Sequence, residues 1–287
     1  MTSSLSQDKL QHYIEHWFSL GSEAVGNPDA LSAFHTLRHA LESGTIRSAE
    51  PDATQPIGWR VNAWVKRGIL LGFRLGHLVS VGDDAVLSCV DKNTFPTRRF
   101  TPEQSIRIVT GGSAVRAGAY LASGVVVVPP AYVNTGSYVD EGSLIDSHAL
   151  VGSCAQIGKR VHLSAGAQIG GVLEPVNASP VIIEDDVLVG GNSGVYEGTI
   201  VRSKAVLAAG TILTRGTPVY DLPNNTVLRG TVDTPLIIPS GAVVVPGSRA
   251  IQHGPGKDLG LSVYTPIIVK YRDEKTELST ALEDILR

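Results

Sequence analysis

Only two cysteines, Cys89 and Cys154, occur in 287 residues. There is no CxxC pair and no Cys/His spacing suited to zinc, so no metal site of that kind is expected. No run approaches the roughly 18 apolar residues of a membrane span. The polar N-terminus also lacks the charged-then-apolar order of a signal peptide, and the chain reads as cytoplasmic. A formal net charge of -3 leaves no basic excess for a general nucleic-acid surface. The run Gly254-Pro255-Gly256-Lys257 lacks the GxxxxGK[ST] spacing and the following Ser or Thr of a nucleotide-hydrolysing loop.

What the chain does have is a beat of six. Leu121, Val127, Val133, Val139, Ile145, Val151, Ile157, Leu163 and Ile169 are evenly spaced. After one interruption the spacing continues through Ile183, Val189, Val195, Val201, Leu207, Leu213 and Val219. Two residues before each stands a small or β-branched residue, such as Ala119, Ser143 or Ala167, which suits a narrow interior. A period of six is neither the 3.6 of a helix nor the 2 of a plain strand. It suits one short strand and a corner, and three such sides close a triangular coil of 18 residues. Stacked coils pair their backbones at about 4.8 Å and build one aliphatic column. Glycines at unit ends (Gly124, Gly136, Gly142, Gly166, Gly198, Gly210, Gly216) supply corner geometry. Cys154 shares that position, which suits a packed thiol better than a nucleophile. The interruption, residues 173–180, is an eight-residue insertion, and insertions in solenoids become loops on one face, often the binding face.

The expected organisation has three parts. Residues 1–105 form a mainly helical N-terminal domain that caps the open end of the solenoid. Its helices are marked by Leu10, Ile14, Trp17 and Phe18, by Leu31, Phe34, Leu37 and Leu41 with Gly44 as a stop, and by the segment 59–71; Gly72-Phe73-Arg74-Leu75 reads as a strand. Residues 106–222 form the β-helix. Residues 223–287 are a C-terminal extension in which the beat fails over 221–233, resumes loosely at 242–246, and gives way to a strand at 266–271 and a helix at 275–286.

The run Tyr-Val-Asn-Thr-Gly-Ser-Tyr-Val-Asp-Glu-Gly from Tyr132, then Val-Gly-Ser-Cys-Ala-Gln-Ile-Gly-Lys, Val-His-Leu-Ser and Ile-Gly-Gly-Val-Leu-Glu-Pro, resembles tetrahydrodipicolinate N-succinyltransferases. These are hexapeptide-repeat acyltransferases of bacterial lysine and diaminopimelate synthesis. The likeness extends weakly to Ser48-Ala49-Glu50, to 71–75 and to 267–270. It implies a mainly β fold, a left-handed parallel β-helix of hexapeptide repeats, with a helical N-terminal domain and a small C-terminal strand and helix extension. It also implies a homotrimer with sites between neighbouring β-helices. The reaction it implies is transfer of an acyl group from acyl-CoA, succinyl-CoA or acetyl-CoA, to the amine of 2-amino-6-oxopimelate, the hydrated open form of tetrahydrodipicolinate.

That chemistry makes demands on particular side chains. A dicarboxylate acceptor calls for guanidinium groups, and the resemblance points to Arg74, Arg107 and Arg116. An attacking amine must lose a proton, and Asp146 is the candidate to take it. The beat supports Asp146 separately: Ile145 points inward, so Asp146 points out, and Ser164, 18 residues on, follows it in the next coil. The resemblance lays the pantetheine arm of CoA along an edge of small residues, matched by Gly170, Gly171, Ala209 and Gly210. Lys257 and Lys270 are candidates for the CoA phosphates.

Departures from the pattern cluster near these residues. Where the family carries Ala-Arg-Ser-Glu-Val-Val-Glu-Gly, this chain has Gly191-Asn192-Ser193-Gly194-Val195-Tyr196-Glu197-Gly198. The family's arginine is Asn192 and its assisting glutamate is Gly194. The family's Asp-Thr-Trp-Ala is Asp146-Ser147-His148-Ala149, and a Pro-Pro pair before Arg116 becomes Thr110-Gly111-Gly112. The loss of an arginine admits a neutral acetyl donor, and the whole set suggests a diverged member in a specialised route such as tabtoxin synthesis. Two alternatives stand beside this reading. One is a hexapeptide O-acetyltransferase with His148 or His162 as base; the other is a non-catalytic trimeric binding protein.

Overall fold

The computed structural model describes residues 6–81 and 89–272. All sixteen aliphatic residues of the beat are buried, none more than 3% exposed, in one continuous column. Each unit contributes a two-residue strand, and strands pair in parallel with the residue 18 positions on, as Leu144 with His162 and Ile145 with Leu163. Across residues 173–180 the step becomes 26, pairing Gln156 with Ile182. The eight extra residues therefore lie wholly outside the ladder. The column is longer than the beat suggested. Ile108 and Val115 precede it in register, and Ile238 and Val244 continue it. The coils present three faces, two of six strands and one of ten.

The helical part is α1 (Gln7–Ser19), α2 (Pro28–Glu42) and α3 (Ala63–Leu75). Helix α3 runs on through Gly72-Phe73-Arg74-Leu75, where a strand was expected, and Trp59–Val61, expected to be helical, is a strand paired with Ala49–Pro51. The reason lies in packing: a Cβ on Gly72 would come within 2.1 Å of Phe34, and one on Gly68 within 2.1 Å of Leu37. These glycines let α3 press against α2 rather than break it. No described helix is long and apolar enough to cross a membrane.

This part lies along the side of the β-helix instead of capping its end. Ser48 donates to the carbonyl of Cys154 at 2.9 Å, Arg47 lies 3.7 Å over the Tyr138 ring and bonds Gln156, and Trp59 Nε1 donates to Glu184. Those partners span several coils of one face, the docked face, built on the strands from Tyr120–Leu121 to Ile237–Ile238. Phe100 and Ile106 cover the start of the column. The insertion loop is tied down by Lys66, whose ammonium donates to the Ala178 carbonyl at 2.6 Å and whose burial lowers its pKa.

The second, hairpin face runs from Arg107–Ile108 through Leu144–Ile145 to the long strand Ala242–Ala250, which pairs antiparallel with Ser262–Tyr271. The segment 221–233 begins as a small antiparallel pair, Val219–Asp221 with Thr226–Leu228. The third face runs from Ala114–Val115 to Ile212–Leu213. There the Tyr264 hydroxyl accepts from the Ile212 N–H at 2.6 Å and donates to the Ile212 carbonyl. The helix expected at 275–286 lies outside the described residues.

Corner glycines differ in what surrounds them. Gly124 has φ +79° and open neighbours, whereas a Cβ on Gly136, φ +74°, would meet Ile69 at 2.5 Å and Cys154 at 3.0 Å. Gly124→Ala is expected to cost about 1–2 kcal/mol, the left-handed strain alone. Gly136→Ala should cost distinctly more in the same denaturant titration.

Candidate functional site

Asp146 stands at the edge where the hairpin face turns into the third face, just after the inward Ile145. One carboxylate oxygen accepts from the Ser147 N–H at 2.7 Å. Asp140 and Asn134 make the same turn bond one and two corners earlier, so that contact is corner geometry. The second oxygen has no hydrogen bond among the described residues. Ser164 follows in the next coil: the Asp146 N–H donates to Leu163 O and the Ser164 N–H to Val189 O, both at 2.9 Å. The two residues are thus neighbours on one edge, separated by the coil spacing of about 4.8 Å.

Two residues further round the corner the backbone enters the left-handed region in four successive coils. His148 (φ 61°), Gly166 (72°), Asn192 (55°) and Gly210 (77°) occupy this position in succession. His148 is exposed there, its N–H bonded to Pro130 O and its carbonyl to Gln168. Asn192 is a residue type that tolerates this conformation. His162 stands elsewhere, on the hairpin face in the outward row of Leu144 and Leu188, with Nε2 buried and unpaired among the described residues. Neither histidine is joined to Asp146 in a hydrogen-bonded pair of the kind an O-acetyltransferase base would need.

The three arginines belong to different elements, and each has its own surroundings. Arg107 is exposed at the start of the hairpin face. Arg74 ends α3, with its guanidinium bonded to Phe18 O at 2.9 Å and lying over the Phe18 ring. Arg116 lies at the edge between the third and docked faces, paired through Nη2 with both oxygens of Asp91 at 2.9 and 2.7 Å. The small residues also divide. Gly170 and Gly171 follow the third-face strand Gln168–Ile169, while Ala209 and Gly210 precede that face's strand Ile212–Leu213. They do not share one edge as expected, because Ile169 and Leu207 belong to different faces; they bracket the third face. Gly171 has a packing reason of its own, since a Cβ there would lie 2.6 Å from Ser153 N. Lys257 is exposed in the short helix Gly254–Asp258 of the hairpin, and Lys270 is half-buried opposite Val243.

Residues 9–75 match the family described as tetrahydrodipicolinate N-succinyltransferase N-terminal, and 180–215 match the hexapeptide repeat of succinyl-transferase. Three proteins named 2,3,4,5-tetrahydropyridine-2,6-dicarboxylate N-succinyltransferase are similar over most of their length. The one from Azoarcus sp. (strain BH72) is 46% identical over 253 residues, 86% of each chain. Those from Albidiferax ferrireducens and Polynucleobacter asymbioticus are 42% and 41% identical, over 93% and 90% of each chain. The chain belongs to the tetrahydrodipicolinate N-succinyltransferase family. These are acyltransferases, and the β-helix accordingly is the left-handed hexapeptide-repeat type.

On the next-to-last strand of the third face, one aromatic ring lies over two glycines. A Cβ on Gly194 would lie 2.4 Å from Cε2 and 2.7 Å from the hydroxyl of Tyr196. A Cβ on Gly170 would meet the same ring at 2.8 Å. The Tyr196 ring therefore folds back across two glycines and fills the space a side chain on either would need. The sequence names Tyr196 only as a departure; a glycine two residues before an outward tyrosine was the available signal.

Burial raises the Cys154 thiol to about 11, against the exposed Cys89. A thiol reagent at pH 8 should modify one cysteine per native chain and two per denatured chain. Rapid modification of both in the native protein would contradict the packed thiol.

Proposed function

We propose that the protein is a CoA-dependent N-acyltransferase acting on 2-amino-6-oxopimelate, the open form of tetrahydrodipicolinate, or a close analogue. The observation that carries this reading is Asp146 on an outward edge beside Ser164, with one carboxylate oxygen left free by the turn. An amine attacks a thioester only through its lone pair. As the C–N bond forms at the acyl carbon, the nitrogen becomes acidic and Asp146 accepts its proton. The C–S bond then breaks, and the same proton can pass to the departing thiolate, so the products are the amide and free CoA thiol. With Gly194 in the glutamate's position, one carboxylate serves both transfers.

Donor choice follows from the third face. A succinyl group carries a carboxylate whose desolvation needs a cation. Asn192 offers no charge there, and the Tyr196 ring fills space beside Gly194 and Gly170. Both favour acetyl over succinyl. Arg74, Arg107 and Arg116 are proposed acceptor contacts. Their placement on different elements of one chain supports a homotrimer whose sites combine groups from neighbouring β-helices, with Gly170, Gly171, Ala209, Gly210, Lys257 and Lys270 proposed along the CoA path. The reading is of a cytoplasmic enzyme, in lysine and diaminopimelate synthesis or a related toxin route.

Free CoA should appear only when acyl-CoA and the acceptor are both present, and faster with acetyl-CoA than with succinyl-CoA. No release with either donor would defeat the reading. Asp146→Asn is expected to lower kcat by roughly 10²–10⁴, the usual worth of a general base. A near-normal kcat would remove Asp146 from the chemistry, and a monomer by light scattering would remove the shared site.

A further inference from the structure

Arg116 is an unusual cation for a surface ion pair. Its side chain is only 14% exposed, its guanidinium lies 5.1 Å from the Phe73 ring centre and 5.4 Å from that of Phe95, and its buried Nε has no partner among the described residues. Its backbone is also fixed, bonding Val133 O in the next coil. Asp91 is held far less firmly. Its side chain is 44% exposed on the strand Cys89–Lys92, whose backbone pairs with Leu78–Val81, and beyond Arg116 the carboxylate's only hydrogen bond among the described residues is from the N–H of its own neighbour, Lys92. The cation cannot follow its partner away, but the carboxylate can turn into water.

We propose that Asp91 is an internal stand-in for a carboxylate of the acceptor: it occupies the carboxylate subsite of Arg116 and is displaced when a dicarboxylate binds. This rests on the acceptor reading above. One carboxylate exchanges for another, so the guanidinium is never left unpaired in its aromatic cradle, and an unpaired charge there would be costly. Recognition is thereby restricted to ligands that can match the contact Nη2 makes with both oxygens of Asp91, which an ester or amide cannot. Arg116 also opens the edge column that continues through Asn134, Gly152, Gly170 and Tyr196, so the subsite lies on the same edge as the glycines beneath the Tyr196 ring.

A competitor built into the chain weakens the apparent affinity by the fraction of time it holds the site. Asp91→Asn removes the charge with little change of shape. The KM for the acceptor is expected to fall about fivefold, while the KM for acyl-CoA stays as in the parent protein. In an Arg116→Lys background the same substitution should give no such gain. An independent readout needs no turnover: pimelate, a seven-carbon dicarboxylate, should bind Asp91→Asn more tightly by calorimetry. It should also accelerate amide hydrogen exchange in Cys89–Lys92 of the parent protein. An unchanged or raised acceptor KM, together with unchanged pimelate affinity and exchange, would make Asp91 a plain anchor and overturn the proposal. If no CoA is released with any donor yet pimelate binds as described, the reaction is wrong and the subsite stands.

Discussion

Everything in this molecule depends on one constraint: the backbone of each coil is the hydrogen-bond partner of the next, at a step of 18 residues within the regular repeat and of 26 across the insertion loop. Because the strands are two residues long, no strand is stable alone, and the aliphatic column and the ladder form together or not at all. The constraint fixes which residues point in, which point out and which meet along an edge. Asp146 beside Ser164, and the succession His148, Gly166, Asn192 and Gly210, are direct results of it. A coil that carries chemistry at its corners leaves its faces free for packing.

The faces are used unequally. One is covered by the chain's own N-terminal part through Arg47, Ser48 and Trp59, and another is extended by the antiparallel hairpin. On the third, Gly194 lies beneath Tyr196. Ring and glycines belong together there, since a Cβ on Gly194 or Gly170 would meet the Tyr196 ring within 2.8 Å. The insertion loop, fixed by the buried Lys66, adds shape at the neighbouring edge without disturbing a single strand pair.

The period made the β-helix legible, including its inward residues and the outward position of Asp146, because the ladder repeats at constant step. The side docking was not legible, since Ser48, Arg47 and Gln156 have no period and meet across more than a hundred residues. Gly72 was misread because a glycine that ends a helix and one that admits a neighbour's ring look alike in sequence. The CoA edge was misjudged by assigning Gly170 and Ala209 to one corner, although their hexads belong to different faces. Asp91 gave no signal at all. Its pairing with Arg116 depends on where an exposed strand folds back, which spacing does not encode.

An unfinished ladder is an adhesive end, ready to accept the backbone of another molecule. The third face would end that way at Ile212, whose N–H and carbonyl meet no further strand among the described residues. Tyr264 reaches over from the hairpin and satisfies both with one hydroxyl. A side chain thus imitates a strand and then offers no backbone of its own at that point, so the described end of this ladder is closed to a further strand at Ile212.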